Sequence, residues 1–199
     1  MALSSIKEVL NVYAPIERIF RSIEGEGSRI GEVTTFVKLG DGPYRCNLEV
    51  FADLRALGPS NTLVIQTSNV TFTDWRPFVS EFVSAALASQ GMKVIHETRG
   101  DLLGPKIPTY VWLTPGVTTV MPAQLFPEHD DLKMLVHDEA GLRKTIEHLL
   151  PWAEAGFQCF IFPRVPVSEL APFFRLFLDM NPPPNIRMMT LEHEVIGID

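Results

Sequence analysis

The stretch Phe36-Val37-Lys38-Leu39-Gly40-Asp41-Gly42-Pro43-Tyr44-Arg45-Cys46-Asn47-Leu48-Glu49 leaves a β-branched and aromatic run, Thr34 to Leu39, and passes into a polar loop. The first part reads as a strand and the second as the loop at its carboxyl end. That loop carries one thiol, Cys46, and the only other cysteine of the chain is Cys159, on a predicted strand far along the sequence. Two unspaced cysteines make neither a disulfide scaffold nor a zinc knuckle nor a Cys-x-x-Cys redox pair, and buried or idle thiols are their plain reading.

Outward from this stretch, strands and helices alternate. Ala52 to Leu57 predicts a brief helix ended by Gly58-Pro59, and Thr62 to Gln66 a short buried strand. Asp74 to Gln90 predicts a helix with Asp74 as N-cap and Gly91 just past its end. Strands are predicted at Met92 to Glu97, Thr109 to Leu113, Leu132 to Val136, Phe157 to Phe162 and Ile186 to Thr190. Helices are predicted at Asp138 to Ala155, amphipathic with Leu142 and Ile146 opposite Arg143 and Lys144, and at Ser168 to Met180, stopped by Asn181-Pro182-Pro183-Pro184. This order predicts an α/β fold with a mainly parallel sheet and crossover helices, barrel-like or open and wound. In such sheets the carboxyl ends of strands carry function, which directs attention to Thr67-Ser68-Asn69, Glu97-Thr98-Arg99-Gly100 and Thr114-Pro115-Gly116.

A chain of 199 residues with 46% hydrophobic content can bury one sizeable core, and one domain over residues 1–199 is expected. The net charge of −7 argues against nucleic acid or an anionic membrane surface as partner. The start Met1-Ala2-Leu3-Ser4-Ser5-Ile6-Lys7-Glu8 lacks a basic end before an apolar run, and no stretch approaches the ~18 apolar residues of a membrane helix, so a soluble, cytoplasmic protein is expected.

Several segments in order carry a resemblance. Ile19-Phe20-Arg21-Ser22-Ile23-Glu24-Gly25-Glu26-Gly27-Ser28 resembles the "hydrophobic-Gln-Gly-Glu-Gly" opening of 7-carboxy-7-deazaguanine synthases, radical S-adenosylmethionine enzymes of the 7-deazapurine (queuosine) pathway. Phe36-Val37-Lys38-Leu39 is similar to that family's "Phe-Val-Arg-Leu" strand, and His96-Glu97-Thr98-Arg99-Gly100 to its "Val-Glu-Thr-Asn-Gly" loop. Leu132-Lys133-Met134-Leu135-Val136 resembles "Leu-Lys-Phe-Val-Val", and Leu191-Glu192-His193-Glu194-Val195-Ile196-Gly197-Ile198 resembles "Gln-Thr-His-Lys-Leu-Leu-Gly-Ile". The resemblance spans about residue 11 to the last residue and implies an abridged, partial β/α barrel of the radical S-adenosylmethionine type, in that family usually a homodimer.

The departures fall where the family's chemistry lies. Its Cys-x-x-x-Cys-x-x-Cys loop puts three thiolates on one iron–sulfur cluster. Aligned on Arg45-Cys46, the first and third of these positions hold Gly42 and Glu49. The family's Gly-Gly-Glu-Pro loop, which contacts the methionine end of S-adenosylmethionine, reads Thr67-Ser68-Asn69-Val70 here, and its Asp-Thr beside magnesium reads Val50-Phe51. The resemblance thus implies a degenerate member, a pseudoenzyme without iron–sulfur cluster, S-adenosylmethionine or magnesium.

The substrate-like positions are better kept. Glu24, Gly25, Glu26, Gly27, Lys38, Thr98 and His193 are the candidate ligand-binding residues of an inherited pocket, with no catalytic and no metal-binding residue expected. Lys38 in place of arginine retains a positive charge but loses the planar fork. Gly25-Glu26-Gly27 reads equally as a tight turn between strands, and His193 as a hydrogen-bonded histidine with no ligand. The expected partners are a second copy or another protein subunit, with a small heterocyclic ligand. The alternatives are a non-radical enzyme acting on a pterin-like or 7-deazapurine-like compound, and a structural component of a larger complex.

Overall fold

The strand that opens at Val33 does not stop at Leu39 but runs on as β2, Val33–Cys46, in the computed structural model, which describes residues 12–67, 78, 93–98, 109–113, 125 and 130–190. Its antiparallel neighbour β1, Tyr13–Ile23, is given no range in the sequence reading, which places only a tight turn after it, because Pro15, Glu17, Arg18 and Arg21 break any clean alternation. A proline and charged side chains are what an edge strand carries, and β1 pairs with β2 alone among the described strands. The ladder between them is irregular at two places: Glu17 bulges between the pairs Ile16–Leu39 and Arg18–Lys38, and the larger break lies next to it. Pro15 pairs with Tyr44 and Ile16 with Leu39, so Gly40–Pro43 loop out of register between two adjacent residues of β1.

After β2 comes helix α1, Asn47–Ala56, then β3, Thr62–Gln66, and β4, Lys93–Thr98. Strands β2, β3 and β4 are parallel, with Thr34, Thr35 and Phe36 in register with Thr62, Leu63 and Val64. Leu63, Val64 and Ile65 are all fully buried, as a parallel strand covered on both faces requires. Helix α1 starts five residues before the predicted Ala52 and buries Val50, Phe51 and Leu54. The predicted helix at Asp74 to Gln90 lies outside the described residues except for Phe78, which is helical and buried.

Beyond these lie β5 (Thr109–Trp112), β6 (Asp131–Val136), α2 (Glu139–Glu154), β7 (Gln158–Pro163), α3 (Val167–Asp179) and β8 (Ile186–Met188). All their pairings are parallel. Asp138 caps α2 by accepting the Gly141 N–H at 2.6 Å, and the helix buries Leu142, Ile146, Leu149 and Trp152 at the predicted helical spacing. The last strand is shorter than expected and ends at Met188.

The fold is α/β, with mainly parallel strands and crossover helices, as expected from the sequence and in keeping with an abridged β/α barrel. The chain groups into two compact units. One holds β1 to β4 with α1, around a core that includes Ile16, Val37, Leu39, Phe51 and Ile65. The other holds β5 to β8 with α2 and α3, and also the connection Glu24–Gly31 between β1 and β2. No helix among the described residues is long and apolar enough to cross a membrane.

Candidate functional site

The Gly-Glu-Gly turn sits in the second unit. Residues alternate across β6, so Asp131 and Lys133 share one side and Leu132, Met134 and Val136 the other. Both charged side chains are buried, Lys133 completely. A buried ammonium needs a partner, and Lys133 Nζ lies 3.0 Å from Glu26 Oε2 and 5.4 Å from the Trp112 ring centroid. Ser28 donates its backbone N–H (2.9 Å) and its hydroxyl (2.7 Å) to Asp131 Oδ2. Two charged side chains of one strand therefore hold two residues of the turn.

The turn is fitted closely to this strand. Gly27 has φ of +75°, and a Cβ on it would stand 2.8 Å from Asp131 Oδ2 and 3.4 Å from Lys133 Cε. Glycine is needed there for its conformation and for its lack of a side chain. Glu24 is buried, its Oε1 accepts the Glu26 N–H at 3.2 Å, and its carbonyl accepts the Gly31 N–H at 2.7 Å. Burial raises the Asp131 carboxyl above its ordinary value, opposed by the two Ser28 hydrogen bonds and by the charges of Lys133 and Arg29. Phe160 is in register with Lys133, and the Trp112 ring near the Lys133 ammonium lies 5.5 Å from the Phe162 ring.

In the first unit, polar side chains gather at the carboxyl ends of β3 and β4. Lys38, Gln66 and Glu97 follow one another in register across β2, β3 and β4, and Gln66 Nε2 donates to Glu97 Oε1 at 3.2 Å. Lys38 itself turns to Glu17 Oε1 at 2.6 Å. Thr67 Oγ1 lies 2.7 Å from His96 Nε2, and the Thr67 N–H donates to the Glu97 carbonyl at 2.8 Å. Burial pushes His96 down to about 3, so its imidazole is neutral at physiological pH. Thr98 is buried at the end of β4.

Of the sequence candidates, the structure brings Glu24, Gly25, Glu26 and Gly27 together in one turn of the second unit. Lys38 and Thr98 belong to the first unit, and His193 lies outside the described residues. Lys133 and Asp131 are the residues that sequence reasoning did not single out. A lysine inside the otherwise apolar run Leu132 to Val136 was the available signal, since a charge in a buried parallel strand requires a partner.

The positions aligned with a three-thiolate site can be tested for fit. A Cβ on Gly42 would overlap the Ile16 carbonyl of β1 and stand 2.6 Å from the Glu17 backbone nitrogen. Glu49 is the third residue of α1, in its first turn, where its carboxylate accepts the Cys46 N–H at 3.0 Å, half of a capping box. Cys159 is buried on β7 in the second unit, its thiol pushed up to about 12 by burial and by the Asp131 charge. These residues do not fit an iron–sulfur cluster, which asks for ionised thiolates converging on one point. The described residues contain no group of three or more metal-ligating side chains.

No protein-family profile and no curated protein matches the chain. Among solved structures it is similar to the crystal structure of QueE from Escherichia coli, with a TM-score of 0.63 and 15% identity over 89% of this chain and 93% of that one. At this identity the likeness shows the fold, and it is a QueE-like fold.

Proposed function

We propose that this chain is a catalytically degenerate relative of 7-carboxy-7-deazaguanine synthase (QueE), a pseudoenzyme that carries no iron–sulfur cluster, S-adenosylmethionine or magnesium and serves as a binding, dimer-partner or assembly subunit. One observation carries the reading: a QueE-like fold extends over 89% of the chain while Gly42 and Glu49 stand where the family resemblance calls for thiolates. Thr67, at the start of the segment that replaces Gly-Gly-Glu-Pro, supports the same reading, because its hydroxyl is engaged with His96 and the Glu97 carbonyl.

A partner role has support on the surface. Val167 and Leu178 of α3 are 70% and 69% exposed, and with Ala171 and Phe174 they follow the four-three-four spacing of a helix-pairing seam. The alternative, a non-radical enzyme acting on a pterin-like or 7-deazapurine-like compound through Glu26, Glu97 or His193, has weaker support, since one Glu26 oxygen is already committed to Lys133 and one Glu97 oxygen to Gln66.

Anaerobic incubation with iron and sulfide, followed by visible absorbance and iron analysis, tests the proposal. Bare protein is the expected result, and a stoichiometric cluster overturns the reading. Light scattering and native mass of the purified chain report the partner role, with Leu178→Glu as the variant expected to reduce the assembled mass.

A further inference from the structure

The disagreement between the cluster positions and a cluster goes further than missing thiols. We infer that Gly40–Glu49 is a structural joint that fixes β1 to β2 and α1, and that restoring its cysteines would not make it a cluster loop. The inference rests on the pseudoenzyme reading above but adds a claim which that reading does not need. A chain could lack cysteines and still keep a loop with room for them.

The packing argues against such room. Gly40–Pro43 loop out of the β1–β2 ladder and fold against Ile16 and Glu17 of β1, close enough that a Cβ at Gly40 would meet the Glu17 carboxylate and one at Gly42 the Ile16 carbonyl. The obstacle at Gly42 is backbone, which cannot swing aside as a flexible side chain can. Beyond the bulge the ladder resumes, with Tyr13 paired to Cys46. Cys46 therefore ends a paired strand, and its N–H is taken by Glu49. The next N–H, of Asn47, donates to the Val12 carbonyl at 3.3 Å, and Arg45 reaches Asp53 in the second turn of α1 at 2.7 Å. All three aligned positions are thus in local structural use, for Gly42 admits β1, Cys46 closes the ladder, and Glu49 caps the helix. A cluster requires a loop whose thiols turn toward a common centre, whereas here the backbone is held in a strand up to the residue before the helix.

The test uses the full chain with Gly42→Cys/Glu49→Cys, Gly42→Ala, Glu49→Cys and Glu49→Gln beside the wild type. The joint predicts that the double variant takes up no stoichiometric iron and shows no cluster absorbance after anaerobic reconstitution. It also predicts that Gly42→Ala alone lowers the melting temperature by ~3–10 °C, the shift expected for overpacking against fixed backbone. Glu49→Gln keeps an acceptor for the Cys46 N–H and should melt closer to the wild type than Glu49→Cys does. A loaded double variant beside a bare wild type overturns the joint and leaves the pseudoenzyme reading standing; a loaded wild type overturns that reading itself. Should the double variant fail to fold, the Gly42→Ala melting temperature decides, and an unchanged value overturns the inference.

Discussion

Lys133 shows what a single residue can impose on its surroundings. Its ammonium is fully buried on β6, so removing it leaves the Glu26 carboxylate without the cation 3.0 Å away. Lys133→Met is expected to cost ~3–5 kcal/mol in urea unfolding, and Lys133→Met/Glu26→Gln to recover part of that loss, because the penalty comes from the stranded charge. Gly27→Ala should destabilise as well, by ~1–2 kcal/mol from its left-handed backbone alone, measured in the same way. His96 sets a pH dependence of definite sign. Its folded value, about 3, lies below the ordinary 6.5, so its contribution is complete above pH 6.5 and fades as the pH falls toward 3. Unfolding free energy should therefore drop by up to ~1.4 kcal/mol per unit below pH 6.5, and His96→Gln should flatten that slope. Asp131 has the opposite sign, since its raised carboxyl favours the fold while protonated and loses that contribution as the pH rises above 3.8.

At the scale of elements, β3 was legible to the residue, because Leu63-Val64-Ile65 between turn signals has no other economical reading. Helix α2 was legible from its Asp138 cap and its spaced apolar residues. The start of α1 was not, since its box is spelled Cys-x-x-Glu and the eye looks for serine or threonine at the cap. Glu49→Ala is accordingly expected to cost ~1 kcal/mol, read as a lower urea midpoint with an unchanged slope. Strand β1 and the far half of β2 were hidden for a different reason. Glycine and proline at Gly40, Gly42 and Pro43 signal a turn, and they do mark an irregularity, but one carried within a ladder that closes again on its far side. Local chemistry gave the break, while the resumption depends on a partner strand some thirty residues away.

For the whole molecule, the α/β class and mainly parallel strands followed from element order, and the QueE-like fold agrees with the fold that the resemblance implied. The candidate site was legible only in part. The Gly-Glu-Gly turn could be picked out, but its anchor on β6 is more than one hundred residues distant, with Glu26 and Lys133 separated by 107 positions. No local pattern links two such residues; only the folded chain does. A coming apart of the chain can also be followed without any added probe, because the two thiols differ in kind. Cys46 is partly exposed at the head of α1 in the first unit, whereas Cys159 is sealed on β7 in the second with its thiol pushed up to about 12. A maleimide should thus count one sulfur in the native protein and two once β7 is released, so that alkylation over time keeps a clock on the opening of one unit alone.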